Sequence, residues 1–316
     1  MNQKLSELSP KILLQTEGPL RFRMTNAYLF VAVLQKNQEA LCHLIAALLH
    51  IKRSDILSVE IKNPIVLGQT IDDKDCVLDL FILLNGNIRI NLEMQVTNEY
   101  NWDNRSLYYL ASKLVDLPIG ADYNQLQPVM QIGILDFNYP SDNEEFYQQI
   151  YLMNRKTHKI YNDKASIHVL CLPQIEKATP EDRASGLYHW AKVFQATTWK
   201  ELIDLSENDP VIEDTVVTIA SLSADEKIRQ QCERHEKYER DRISLLNYAN
   251  RQYQEGHDAG VAEGHVEGHT SGILDGVKLF PRLNQKLQEA NRVEEMQKAL
   301  NDPAYLNKLL KEFELI

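Results

Sequence analysis

Apolar side chains recur along this chain with two different periods, and the switches between them mark out its elements. Residues 24–50 read as two consecutive helices, with Thr25 or Asn26 placed to cap the first and Asn37 the second. Ala40, Leu41, Leu44, Ile45, Leu48 and Leu49 form an i, i+3, i+4 stripe, the core-facing side of the second helix. Over 56–61, 76–84 and 88–96 the period shortens to that of strands. The turn signals are Asn63-Pro64 after the first run and Asn85-Gly86-Asn87 between the other two. A helical pattern returns over 102–115, and two further runs, 127–137 and 166–172, read as buried strands. Strands interleaved with helices predict an α/β domain.

From about residue 176 strand signals fade and helices dominate. The organisation this predicts is a core over 20–175, a helical extension over 176–222, and a charged helix, glycine-repeat tail and C-terminal helices over 223–316. Residues 224–255 are densely charged and poor in strand formers, which predicts a long exposed helix. Gly256, Gly260, Gly264, Gly268, Gly272 and Gly276 then follow at strict intervals of four. On a helix these glycines form one bare stripe that a second backbone can approach, the basis for expecting a homo-oligomer. The competing reading is a flexible linker. Asn301-Asp302-Pro303 precedes a short amphipathic pattern of Tyr305, Leu306, Leu309, Leu310 and Phe313.

Composition narrows the function classes. The chain has 316 residues, 44% hydrophobic and 25% charged, with a formal net charge of −11. Collagen-like, mucin-like and wholly disordered classes are excluded, and so is a broad basic face that coats DNA non-specifically. The acidity is uneven, with a balance of −3 over residues 1–175 and −8 over 176–316, which leaves room for a local nucleic-acid site in the α/β part. Apolar runs such as 27–34 fall short of the roughly 18 residues needed to span a bilayer, and no signal-peptide pattern is visible. Cys42, Cys76, Cys171 and Cys232 lie far apart with no CxxC spacing. They read as reduced, inert thiols of a cytoplasmic protein.

The hairpin over 77–96 carries the chemistry. If Asn85-Gly86-Asn87 is a three-residue loop, Leu84 pairs with Ile88 and Asp79 lies directly opposite Glu93, with Cβ atoms roughly 4.5–5.5 Å apart. A two-residue turn at Gly86-Asn87 would put the two acids on opposite faces instead. Facing carboxylates repel, and a divalent cation relieves the repulsion: Mg²⁺ takes oxygen ligands, usually one or two carboxylates plus water and phosphate. Gln95 shares the face of Glu93, one step along, where its amide reaches a water or a phosphate oxygen. An exposed polar face with two acids and no metal is the plainer alternative.

Leu78-Asp79, a hairpin, and Asn91-Leu92-Glu93-Met94-Gln95 resemble the D…ExQ form of the PD-(D/E)XK nuclease core. The surrounding sequence is similar to the recombination-promoting nuclease (Rpn) branch, the PD-(D/E)XK family transposases. The similarity takes in residues 23–30, Asn63-Pro64-Ile65, residues 105–110, residues 132–137 and the glycine tail. It implies a restriction-endonuclease-like core, a mixed sheet flanked by helices, with a helical C-terminal extension. It also implies a metal-dependent DNA endonuclease. Asp79 and Glu93 match the acids that hold Mg²⁺ or Mn²⁺, and Gln95 matches the position held by lysine in most such enzymes. Glutamine cannot serve as a cationic base, so water activation leans on the metal. The sequence departs from the family at Ala27, where an acid usually sits between Asn and Tyr; this implies weaker metal binding, a degenerate copy or an engineered substitution.

Arg105, early in the helix after the second site strand, is a candidate phosphate contact. Tyr108 and Tyr109 are expected in the core, and Asp136 as a cap at a strand end. His43 and His50 read as satisfied helix histidines. His265 and His269 have a zinc-compatible spacing but no third ligand. No GxSxG, P-loop or paired CxxC motif is present, and Gly18 and Gly68 form no phosphate cradle. Two readings follow: a Mg²⁺-dependent DNA endonuclease, or a catalytically silent member of the same fold acting as an oligomeric interaction or regulatory module. Ala27, the missing lysine and the acidity favour the second; the intact Asp79, Glu93 and Gln95 favour the first.

Overall fold

Asn26 caps the first helix. In the computed structural model, which describes residues 18–68, 78–115, 120, 122–139 and 145–316 (main chain alone at 259 and 262–278), its side chain accepts from Leu29 N at 3.2 Å and caps helix α1, Ala27–Lys36. Asn37 does the same for α2, Gln38–Leu49, through Ala40 N at 2.9 Å. Both caps fall where the sequence puts them, with Asn26 rather than Thr25 at the first. α1 is apolar all round because it is central: every residue from Ala27 to Leu34 is buried.

The strands are β1 (Val59–Ile61), β2 (Asp79–Leu84) and β3 (Ile88–Gln95). Helix α3 (Trp102–Leu114) follows, then β4 (Val129–Leu135), β5 (Tyr147–Met153) and β6 (Ile160–Cys171). They form one mixed six-stranded sheet in the order β1-β2-β3-β4-β6-β5. β1, β2 and β3 pair antiparallel, β3 to β4 and β4 to β6 parallel, and β5 closes the edge antiparallel to β6. This mixed sheet flanked by helices is the core that the sequence resemblance implies. Leu80, Ile82, Leu84, Ile90, Leu92 and Met94 share one core cluster with α1 and α2. On the other side Trp102 of α3 packs with Leu135 and Val169, and Leu110 with Val129 and Ala165.

The helical extension is α4 (Pro180–Ala184), α5 (Leu187–Gln195), α6 (Trp199–Ser206) and α7 (Pro210–Ala224), then α8 (Glu226–Glu289) and the short α9 (Glu295–Asn301) and α10 (Pro303–Glu312). The chain divides into two compact units, Met1–Ile243 and Ser244–Ile316. The second has its own small core of Leu283, Leu287, Ala299 and Leu309. Asp302 caps α10, with Pro303 at its first position.

Several expectations change. The first strand is shorter than 56–61, because a 3-10 turn at Arg53–Asp55 leads into it. β5 was not expected, and β6 starts six residues early. α8 is not wholly exposed: Ile228, Gln231, Cys232 and His235 are buried. Tyr108 lies on the surface, not in the core, while Tyr109 is half-buried. Cys42, Cys171 and Cys232 are buried free thiols, and His43 accepts from Trp190 Nε1 at 3.0 Å. Cys76 lies outside the described residues, as do the side chains of His265 and His269.

Candidate active site

The site grows out of the β2–β3 hairpin. Asn85 and Gly86 both take positive φ, +51° and +70°, which a three-residue loop between Leu84 and Ile88 requires. Asn85 also pins the loop: its Oδ1 accepts from Leu57 N at 2.7 Å and its Nδ2 donates to Asp55 O at 2.9 Å. With that register fixed, Asp79 stands directly opposite Glu93 and Phe81 opposite Asn91.

A chain of amides ties the acids together across three strands. Asn91 Nδ2 donates to Asp79 Oδ2 at 3.4 Å and to Gln131 Oε1 at 3.0 Å. Gln131 Nε2 donates to Glu93 Oε1 at 3.0 Å, and Arg105 Nη2 to Glu93 Oε2 at 3.1 Å. Burial pushes the Glu93 carboxyl up to about 7; Arg105 opposes the rise and Asp79 adds to it. Burial raises Asp79 as well, against the pull of Asn91 and Arg105. The pair is therefore costly to ionise together and ready to accept positive charge.

Arg105 reaches the site because α3 lies flat on the sheet. The Trp102 indole covers Gly133, which neighbours Glu93 in the parallel register. A Cβ at Gly133 would sit 2.0 Å from the ring. One turn on, the guanidinium meets Glu93 and also Glu99, at 3.5 Å. Arg105 thus bridges the two carboxylates through Nη1 and Nη2, while its Nε is buried with no hydrogen-bond partner among the described residues. Gln95 Nε2 donates to Thr97 O at 3.1 Å, and its Oε1 is buried with no hydrogen-bond partner.

Ala27, Asp79, Glu93, Gln95 and Arg105 line one cavity of about 30 Å³, so the five positions singled out by sequence converge. α8 brings three more to the same walls: His235, Glu239 and Arg242. Glu239 accepts from Thr97 Oγ1 at 2.6 Å and from Arg242 at 3.2 Å, and Arg242 Nε donates to Glu99 at 2.6 Å. His235 is buried with an unpartnered Nδ1, and burial lowers its pKa. Sequence reasoning missed all three, although Ile228, Gln231, Cys232, His235, Glu239 and Arg242 keep helical spacing along one stripe. Asp136, at the end of β4, sits 3.7 Å from Arg23.

The donor chemistry fits a hard divalent cation: two carboxylates and an amide oxygen lacking a partner, all oxygen ligands around one small cavity. Among the described residues no three His, Cys, Asp or Glu side chains are grouped to hold a metal.

A mixed sheet with facing acids on a hairpin and helices on both sides defines a nuclease-like α/β protein. The profile of the PD-(D/E)XK nuclease family transposases matches residues 26–249, and the chain belongs to that family. No curated protein and no solved structure matches it. Among the described residues no helix is long and apolar enough to cross a membrane.

Proposed function

We propose that the protein is a divalent-metal-dependent DNA endonuclease that hydrolyses phosphodiester bonds, with Asp79 and Glu93 holding Mg²⁺ or Mn²⁺. The observation that carries this is the opposed Asp79–Glu93 pair, buried beside the unpartnered Gln95 Oε1. When bound, the cation supplies neutralisation of the two carboxylates and Lewis-acid activation of water and phosphate. The chain's own residues do the rest. Gln131 and Asn91 fix the carboxylates in one orientation, and Gln95 positions the attacking water through its amide. Arg105 places a cation where negative charge develops on the phosphate. We place this activity in the cytoplasm, in keeping with three buried free thiols. Strand cleavage feeding DNA recombination is the role that fits its family.

A second reading rests on Ala27 and on Arg105. With no acid at position 27 and Glu93 already bonded to Arg105 and Gln131, the same fold serves as a silent interaction module. In either reading the glycine stripe on α8 makes the chain a homo-oligomer.

Incubating supercoiled plasmid with the protein, with and without Mg²⁺ or Mn²⁺, separates the two. Nicked or linear product only with metal, and none from Asp79→Ala, is the expected outcome. Asp79→Ala also loses the rise in melting temperature that metal gives the wild type, since a ligand of the native state alone stabilises it. Equal cleavage by both proteins would sink the assignment.

A further inference from the structure

A second cavity, of about 400 Å³, adjoins the carboxylate pocket and shares Val96, His235 and Glu239 with it. The segment leading into α1, the residues just after β3 and one face of α8 line it. Three arginines line it: Arg21, Arg23 and Arg240. Two acids oppose them, Glu236 and Glu239. Glu239 is already satisfied by Thr97 and Arg242, and burial raises the Glu236 carboxyl against the pull of the neighbouring Arg240. Arg21 pairs with Glu233. Arg23 is different: its contact with Asp136 is a loose 3.7 Å, and its Nε is shut away from solvent with no hydrogen-bond partner. The Arg23 side chain is otherwise 40% exposed, so a ligand can reach it, and a shielded donor without an acceptor calls for one. Leu20, Val96 and Ile243 give the same cavity an apolar side. Its volume suits a small organic molecule and far exceeds what a bare phosphate fills.

We infer that this cavity is a subsite for one unpaired nucleotide of the DNA strand, next to the phosphate being cut. The flanking phosphate meets Arg23 and Arg240, and the base lies against Leu20, Val96 and Ile243. This rests on the nuclease reading and adds to it a substrate class, a single-stranded or frayed strand. A base paired and stacked within a duplex cannot lay its face against Leu20, Val96 and Ile243 without leaving the stack, whereas single strands present bases to apolar side chains and phosphates to cations at once.

The test is fluorescence anisotropy of the full chain with a labelled short oligothymidylate, its duplex with oligoadenylate, and free thymidine monophosphate as competitor, all in chelator. The wild type is expected to bind the single strand at least about tenfold tighter than the duplex. Arg23→Ala and Arg240→Ala are each expected to weaken single-strand binding about tenfold. Arg240 is exposed on α8, so its variant keeps the fold should Arg23→Ala fail to. Equal affinity for duplex and single strand, unchanged binding in Arg240→Ala, or free nucleotide binding as tightly as the strand each overturns the subsite. Loss of plasmid cleavage with the single-strand preference intact would instead overturn the nuclease reading and leave the subsite standing.

Discussion

His168 shows how a single side chain ties the core to pH. It is buried in β6, with Nδ1 2.7 Å from Tyr147 Oη and Nε2 3.0 Å from Ser166 Oγ. Burial, reinforced by His50, lowers its pKa from 6.5 to about 4. Between those values the unfolded chain holds a proton that the folded chain refuses. Stability therefore falls as pH drops through that window, by up to about 3 kcal/mol. Urea midpoints measured at neutral and mildly acid pH should show this slope, and His168→Gln should flatten it. Position 27 offers the converse test. Ala27 is buried on the wall of the carboxylate cavity, so Ala27→Asp should tighten Mn²⁺ binding about tenfold. Without metal it should cost about 1–3 kcal/mol of stability, as an unpaired buried polar group does. Calorimetric titration and thermal melts report the two effects separately; unchanged metal affinity would make position 27 purely structural. At this scale the facing acids were legible because a hairpin's register follows from three loop residues. His235, Glu239 and Arg242 were not. They lie more than 140 residues from Glu93 in sequence, and polar side chains occupy stripe positions where apolar ones would have announced burial.

Elements were legible in proportion to how regularly they bury one face. α1, α2, β2, β3 and β4 each sit against the core, and their patterns show it. β5 pairs with the sheet on one side only, and its exposure does not alternate along Tyr147–Met153, so no period of two marks it. The start of β6 is exposed for the same reason, and only its buried second half reads as a strand. The contact between elements that matters most for the site is that of α3 with β4. Trp102 fits only because residue 133 has no side chain. Gly133→Ala should force the indole off the sheet, costing about 1–3 kcal/mol as overpacking does. It should also move Arg105 away from Glu93, because both side chains ride on α3. A loss of stability accompanied by a changed metal affinity is the expected pair of results. Lost stability with metal binding untouched would show that α3 does not position the site.

At the scale of the whole molecule, the main chain of the glycine stretch is helical, as part of α8. An interior glycine costs a helix about 1 kcal/mol relative to alanine, so six cost roughly 5–6 kcal/mol. Something must offset that. Among the described residues nothing does so at Gly256 and Gly260, where an added Cβ would meet no atom within 4 Å. Residues four apart advance about 40° around the helix at each step, so the glycines hold to one slowly drifting stripe. Close approach of a second copy along that stripe gains van der Waals contact that larger side chains would prevent, a logic best established between membrane helices. Full-length protein should accordingly run as a dimer in size-exclusion chromatography with light scattering, and a chain ending near Tyr253 as a monomer. Gly256→Leu with Gly260→Leu sharpens the test, because the two explanations predict opposite signs. If the stripe is an interface, the double variant dissociates the dimer and its melting temperature becomes independent of concentration. If the stripe faces only water, leucine's higher helix propensity stabilises α8 by about 1–2 kcal/mol and the mass does not change. A monomeric wild type would end the oligomer proposal outright.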